Sequence, residues 1–208
     1  MVLLGICLAS SGVACWPFPS KQNFKVLADT WIYQLNPDKN YGNGWGWGEI
    51  TDPLKSVTAP KMFLGFSGTG KKIVLLKFDL TKLVKNKIIK KAEVAFYNDY
   101  AGSDTAIKVD AKQIISPWEE MDLTYNTMPK TDGIIMSSVT LQGAIGFNQP
   151  GKWYRFDVTK AVQSYQKGDP NYGIMLDPEG QAGVDFDIIA REYKDKSNYA
   201  PVLEVQYQ

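Results

Sequence analysis

From Phe24 onward the chain is written in short runs of β-branched and aromatic residues, each closed by Gly, Pro, Asn or Asp. Such punctuation leaves no length for ordinary helices and is how antiparallel strands and their turns are encoded. Runs of strand length fall at 24–28, 31–34, 62–66, 73–80, 92–98, 107–115, 153–158, 172–176, 186–191 and 202–207. In 92–98, Ala92, Val94 and Phe96 alternate with Glu93, Ala95 and Tyr97, and period two places the first set on the inward face. One stretch has helical spacing, 160–166, where Ala161, Val162 and Tyr165 recur behind Thr159, a good N-cap residue. The expectation is an all-β protein, an antiparallel jelly-roll-like β-sandwich with at most one short helix. Residues 21–208 form a single domain on this reading, since no linker or repeat divides them.

The residue inventory excludes much chemistry. There is no histidine in the chain, which removes the usual general base and imidazole metal ligand. Both cysteines, Cys7 and Cys15, lie at the start, so nothing after them can form a disulfide or a thiolate zinc site. With 23 basic against 22 acidic residues, no electrostatic footprint argues for nucleic acid. Glu119 and Glu120 are adjacent, and neighbours on a strand point to opposite faces, so they cannot flank one glycosidic bond. The reading is therefore not an enzyme. The lysines between Lys82 and Lys91 admit two readings, a guarded strand edge or a contact for anionic polysaccharide through Lys87 and Lys90.

Residues 2–13 are apolar but too short to span a bilayer. They suit the core of an export signal, with small Gly12 and Ala14 ahead of Cys15. Gly12 to Cys15 also resembles a lipid-attachment motif, with Gly12 where Leu is usual. Residues 1–20 are thus a signal-like segment or, alternatively, an assembly strand that completes the sheet of another copy. Either reading places the protein outside the cell or on its surface.

Residues 40–49, NYGNGWGWGE, combine glycine freedom with aromatic rings. Sugar rings present apolar C–H faces, so Tyr41, Trp45 and Trp47 are the expected stacking platform. The alternative is that these rings turn inward and plug an end of the fold. Asp38, Asn40 and Glu49 fall at positions one, three and twelve of a calcium-loop spacing. With Asp29 and Asp157 they make up the expected ligands of a structural calcium ion, Asp185 and Asp187 being further carboxylates of the same kind. Ordinary turn and edge carboxylates are the competing explanation. Asp157 also suits the turn before Thr159.

Four phrases in order carry a family resemblance. They are Ala28-Asp29-Thr30-Trp31 with Asn40-Tyr41-Gly42; Leu75 to Leu80 with Ala92-Glu93-Val94; Trp118-Glu119 with Leu123-Thr124-Tyr125-Asn126 and Pro129; and Phe156 to Thr159 with Asn171-Tyr172-Gly173, Glu192 and Pro201-Val202-Leu203. Together they resemble the DNRLRE domain family, also described as carbohydrate-binding module family 96 and as the disaggregatase-related domain. Tyr125 stands where that family usually has Trp, and Lys72 lies near a frequent Arg. The resemblance implies a jelly-roll-like module of secreted or surface proteins that holds polysaccharide. Within it, Trp118, Glu119, Thr124 and Asn126 read as the polar furnishings of a buried corner. The function expected is a non-catalytic extracellular carbohydrate-binding module using loop aromatics. The alternative is a structural subunit of an extracellular filament or matrix, self-associating through its N-terminal strand.

Overall fold

The computed structural model describes residues 20–42, 60–101, 103–143, 150–180 and 183–208. Its strands are β1 (Lys21–Tyr33), β2 (Lys61–Ser67), β3 (Gly70–Phe78), β4 (Ile89–Ala101), β5 (Ile107–Ile114), β6 (Thr131–Leu141), β7 (Lys152–Asp157), β8 (Ile174–Glu179), β9 (Asp185–Ile189) and β10 (Val202–Tyr207). One α-helix, α1 (Thr159–Lys167), and a 3-10 helix, Lys194–Tyr199, complete the described elements. All-β and antiparallel are therefore correct.

The pairing is not that of two separate sheets. β1 bonds to β10 through Lys21–Lys25 and, after a bulge between Val26 and Ala28, to β3 through Val26–Tyr33. β10 pairs with β4, β4 with β9, β9 with β2 and β2 with β3. These contacts close a ring of six strands. β8, β5 and β6 extend outward from β3, and β7 attaches to β4. The jelly-roll-like sandwich expected from the run pattern is thus replaced by a barrel with additional strands, because one bulged strand serves two neighbours and closes the edge.

The bulge explains why 24–28 and 31–34 fuse into one strand. Asp29 and Thr30, which separate the two runs in sequence, lie fully buried inside β1. β6 runs through Asp132-Gly133, where Gly133 has φ +75° and Asp132 Oδ1 accepts the Ile134 N–H at 3.0 Å. Its turn chemistry is that of a bulge within a strand, which concealed the element. The alternation in β4 holds, with Ala92, Val94 and Phe96 in the main core.

α1 begins one residue earlier than the spacing suggests. Val158 occupies the cap position without a side-chain bond. Thr159 is helical, and its Oγ1 accepts the Ala92 N–H at 2.9 Å, tying α1 to β4. Asp157 Oδ1 accepts the Thr159 N–H at 2.9 Å, the turn-fixing role expected of it.

Two apolar clusters result. The larger fills the barrel, with Trp31, Leu64, Val74, Leu76, Phe96, Phe156 and Phe186 among its members. The smaller, Ile32, Ile73, Leu75, Ile114, Trp118, Leu123 and Met175, lies on the opposite face of β1, β3 and β8, beneath the segment 115–130. β3 is consequently buried on both faces, which is why Ile73 to Leu76 reads as an unbroken apolar run.

Candidate functional site

The segment 115–130 has to be held against the sheet, and a cluster of charges does this. Asp29, fully buried in β1, accepts the Arg191 backbone N–H at 2.9 Å and Arg191 Nε at 3.0 Å. Arg191 Nη1 donates to the Leu27 carbonyl at 2.6 Å, and Nη2 to Glu120 Oε2. Glu120 Oε1 accepts the Asp29 N–H at 3.1 Å, and Glu192 Oε1 lies 2.6 Å from Arg191 Nε. Burial, reinforced by the Glu192 charge, pushes the Asp29 carboxyl up to about 7 despite Arg191. Burial also raises Glu120. At Arg191 burial pulls downward, and the charges of Glu120, Glu192 and Asp29 outweigh it and raise the guanidinium.

The three carboxylates approach within 4.8 Å of one another, as metal ligands do. Their cation, however, is Arg191, whose fork of donors matches carboxylate geometry. The arrangement is a salt-bridge knot, and among the described residues only Asp29 of the expected calcium ligands belongs to it.

The corner around it is built to the same end. Asn40 Nδ2 donates to the Glu120 and Leu123 carbonyls at 2.8 and 2.7 Å, and Asn40 Oδ1 accepts the Gly42 N–H at 3.0 Å. Gly42 must be glycine, since a Cβ would collide with the Glu120 carbonyl. Trp118 Nε1 donates to the Tyr172 carbonyl at 2.6 Å, and Asn126 Nδ2 to Asp38 Oδ1 at 2.8 Å. Of the phrase expected to furnish a buried corner, Trp118 is buried and Thr124 half-buried, whereas Asn126 and Glu119 are exposed.

The remaining expected site residues are dispersed. Trp45, Trp47 and Glu49 lie outside the described residues. Tyr41 is 3% exposed and stacks on Trp31 with centroids 3.9 Å apart. Its ring is committed to the core, which corrects its assignment as a sugar platform. Lys87 and Lys90 are exposed between β3 and β4 and at the start of β4, Lys87 donating to Ser20 Oγ at 3.2 Å. Of the expected calcium ligands, Asp29 belongs to the knot, Asn40 and Asp38 to the corner, and Asp157 to the start of α1. Asp185 and Asp187 are ion-paired with Lys72 and Lys61, at 2.6 and 3.0 Å.

The structure reveals a cleft that no local spacing announced. It has a volume of about 700 Å³ and lies where the segment 115–130 leaves the outer face of β3, β5 and β8. Ile73 and Met175 line its apolar part, and Tyr125 contributes a half-buried ring. At its rim, Lys71 and Lys112 share the Asp177 carboxylate, with Nζ 2.8 Å from Oδ1 and 2.6 Å from Oδ2 respectively. Burial pulls the Lys112 amine downward, and Asp177, Glu179 and Asp110 outweigh it and raise it. Lys130 stands exposed beside them. Three lysines against one carboxylate leave the cleft cationic, and size, apolar walls and convergent polar groups are the usual properties of a ligand site.

Comparison with known proteins is consistent with such a surface. A family model described as carbohydrate-binding module family 96 matches residues 20–207. A "tRNA nuclease WapA" of Bacillus subtilis (strain 168) is 26% identical over 197 residues, covering 89% of this chain and 7% of that protein. A "tRNA3(Ser)-specific nuclease WapA" of Bacillus spizizenii is 27% identical over 195 residues, again covering 89% and 7%. The chain thus spans 7% of the length of these curated relatives.

Proposed function

The chain belongs to carbohydrate-binding module family 96, and we propose that it is a non-catalytic extracellular module that holds polysaccharide in the cleft beside Tyr125, acidic sugars meeting its lysines. The carrying observation is the cleft itself, an aromatic ring and apolar wall framed by Lys71, Lys112 and Lys130. A pyranose offers a C–H face to Tyr125 and carboxylate or hydroxyl oxygens to the ammonium groups. Trp45 and Trp47 are proposed to add stacking surface.

A non-catalytic role accords with the state of Asp177, the cleft's one lining carboxylate among the described residues, which is bound by two lysines where a glycosidase uses a pair of carboxylates. The nuclease names of the relatives describe chains of which this stretch is 7%. Nothing in a stretch with net charge +1 and no histidine assigns RNA cleavage to it.

Calorimetric titration with a polyuronate tests the reading. Tyr125→Ala is expected to weaken binding by about tenfold, the loss of one ring contact. Lys130→Ala should weaken it less and reduce its salt dependence. Unaltered affinity in both variants would remove the cleft, and failure to bind any polysaccharide would remove the function.

A second reading is assembly into an extracellular filament or matrix; residues 1–19 of the N-terminal segment expected to join copies lie outside the described residues, and β6 supports the reading instead. This strand of 11 residues pairs only with β5 among the described residues and carries Ile134 and Ile135 at 61% and 49% exposure. Beyond the Asp132-Gly133 bulge it contains no charged residue and no Pro, the residues that normally guard a sheet edge. Light scattering should then show association that Ile135→Lys abolishes. A strictly monomeric wild type eliminates this second reading.

A further inference from the structure

On the other side of the barrel from the cleft, three aromatic rings meet on an outer face. In antiparallel strands, residues directly opposite one another share a face. Val94 opposite Phe156 and Phe96 opposite Tyr154 face the core, so Tyr97 opposite Trp153 faces outward. The Tyr97 and Trp153 rings are 5.5 Å apart at 64°. The 3-10 helix Lys194–Tyr199 delivers a third ring, Tyr199, 4.3 Å from Tyr97 and 6.3 Å from Trp153, within 24° of the Trp153 plane. Tyr199 is 39% exposed, and Tyr97 and Trp153 are partly so. Gly151 lets the chain pass close beside them, since a Cβ there would lie 2.6 Å from the Tyr97 ring.

These rings belong to neither apolar cluster. Pinning the 3-10 helix does not require them either, because Lys196 already binds Asp99 at 2.8 Å. Large rings left at the surface in a group mark a contact surface.

The surrounding charges define what it contacts. Asp99 is shared by Lys61 and Lys196, and Lys61 also binds Asp187 at 3.0 Å. Farther along the same face Glu204 is shared by Lys21 and Arg155, and Lys91 pairs with Glu93 at 2.9 Å. These five cations meet four carboxylates and every one of them is ion-paired, so the face has little surplus charge to offer an anion. What it offers is ring surface, bordered by groups that can exchange hydrogen bonds with hydroxyls.

We infer that Tyr97, Trp153 and Tyr199 form a second binding surface, for a neutral polysaccharide, separate from the cationic cleft. It rests on the sugar-binding reading of the family only in taking a sugar as occupant. In the six-strand ring, β4 and β3 are three strands apart in either direction. The two surfaces therefore point away from each other, and one module can hold two different chains at once. Simultaneous engagement of one short oligosaccharide is excluded by this geometry.

The experiment is calorimetry with two probes, neutral hexasaccharides (β-1,4-glucan, β-1,4-xylan and β-1,3-glucan) and a polyuronate fragment. The wild type is expected to bind at least one neutral probe. Trp153→Ala is expected to weaken that binding by tenfold or more, about 1.4 kcal/mol, while leaving polyuronate affinity unchanged. Tyr125→Ala should do the reverse. Tyr199→Ser, at the exposed edge of the cluster, checks the result with little demand on folding, and Trp153→Phe should retain most of the affinity. The inference is overturned if no neutral probe binds, or if neutral binding survives both Trp153→Ala and Tyr199→Ser. Loss of neutral binding in Tyr125→Ala would also overturn it by placing both sugars in the cleft. Polyuronate binding that is absent while the Trp153-dependent neutral binding persists would sink the cleft alone.

Discussion

Above pH 7, where Asp29 is ionised, replacing Arg191 by alanine is expected to lower the unfolding free energy by about 3 kcal/mol, the low end of the range for breaking a buried ion pair from one side, because the Arg191 side chain is 35% exposed. The reason is what remains. Asp29 keeps the Arg191 backbone N–H but loses its counter-charge at 0% exposure. Leu27 loses a donor to its carbonyl, and Glu120 and Glu192 are left facing Asp29 with no cation between them. For a chain of this size about 1 kcal/mol corresponds to 2–4 °C in Tm, so a fall near 10 °C is expected. Arg191→Lys should recover little, because a single ammonium cannot serve Asp29, Glu120 and the Leu27 carbonyl together. Lys21→Ala is the control: its partner Glu204 has a second cation in Arg155, and Lys21 is 49% exposed. Surface pairs of that kind contribute about 0–1 kcal/mol. Thermal and denaturant unfolding of the three variants decides the matter, and a loss below about 1 kcal/mol in Arg191→Ala would show that the knot does not hold the segment 115–130 in place.

That knot also shows where sequence reading stops. Strand runs such as 92–98 and 202–207 are legible because period two and β-branched content act within a few residues of one another. Asp29 and Thr30 interrupt the apolar runs because both are polar, and the partner that holds Asp29 inside β1 is 162 residues away. A separation of 71 residues concealed Glu120, whose neighbour Glu119 draws equal notice in sequence although only Glu120 reaches Arg191. β6 was lost because Asp132-Gly133 signals a turn equally well whether it ends a strand or bulges one. Ring closure depends on β1 changing partners at Val26, a property of register that no single run contains. Tyr41 illustrates the limit for sites. Beside glycines it reads as a loop aromatic, and only the stacked Trp31 ring reveals it as core. The cleft gathers β3, β5, β8 and the segment 115–130, and the outer aromatic cluster gathers β4, β7 and the 3-10 helix. Neither constellation has a spacing to find.

Stability is expected to fall as pH rises from about 4 to about 7, the reverse of the usual carboxylate contribution, with Asp29 the largest source. Burial pushes its carboxyl up to about 7 in the folded protein, from an ordinary value of about 4. Below pH 4 both states hold the proton and the native state is not penalised. Between the two values the unfolded chain has released its proton while the folded chain retains it, so the unfolded state binds fewer protons and each step upward in pH favours unfolding. Above pH 7 both states are ionised and the loss is complete. A shift of this size corresponds to about 4 kcal/mol. Asp185, Asp187 and Glu120, all raised by burial, add to the same slope. Asp99 and Glu204 are lowered, despite burial, by the lysines they bond, Lys196 and Lys61 for the first and Lys21 for the second, so they act only as pH falls below the ordinary carboxylate range. Asp29→Asn is expected to be less stable overall, since its amide cannot accept from both Arg191 donors, yet to show a shallower slope across this window. Chemical denaturation at half-unit intervals from pH 4 to pH 8 measures both slopes. Parallel curves for wild type and Asp29→Asn would mean that Asp29 is ionised throughout, held so by Arg191 more strongly than burial opposes it.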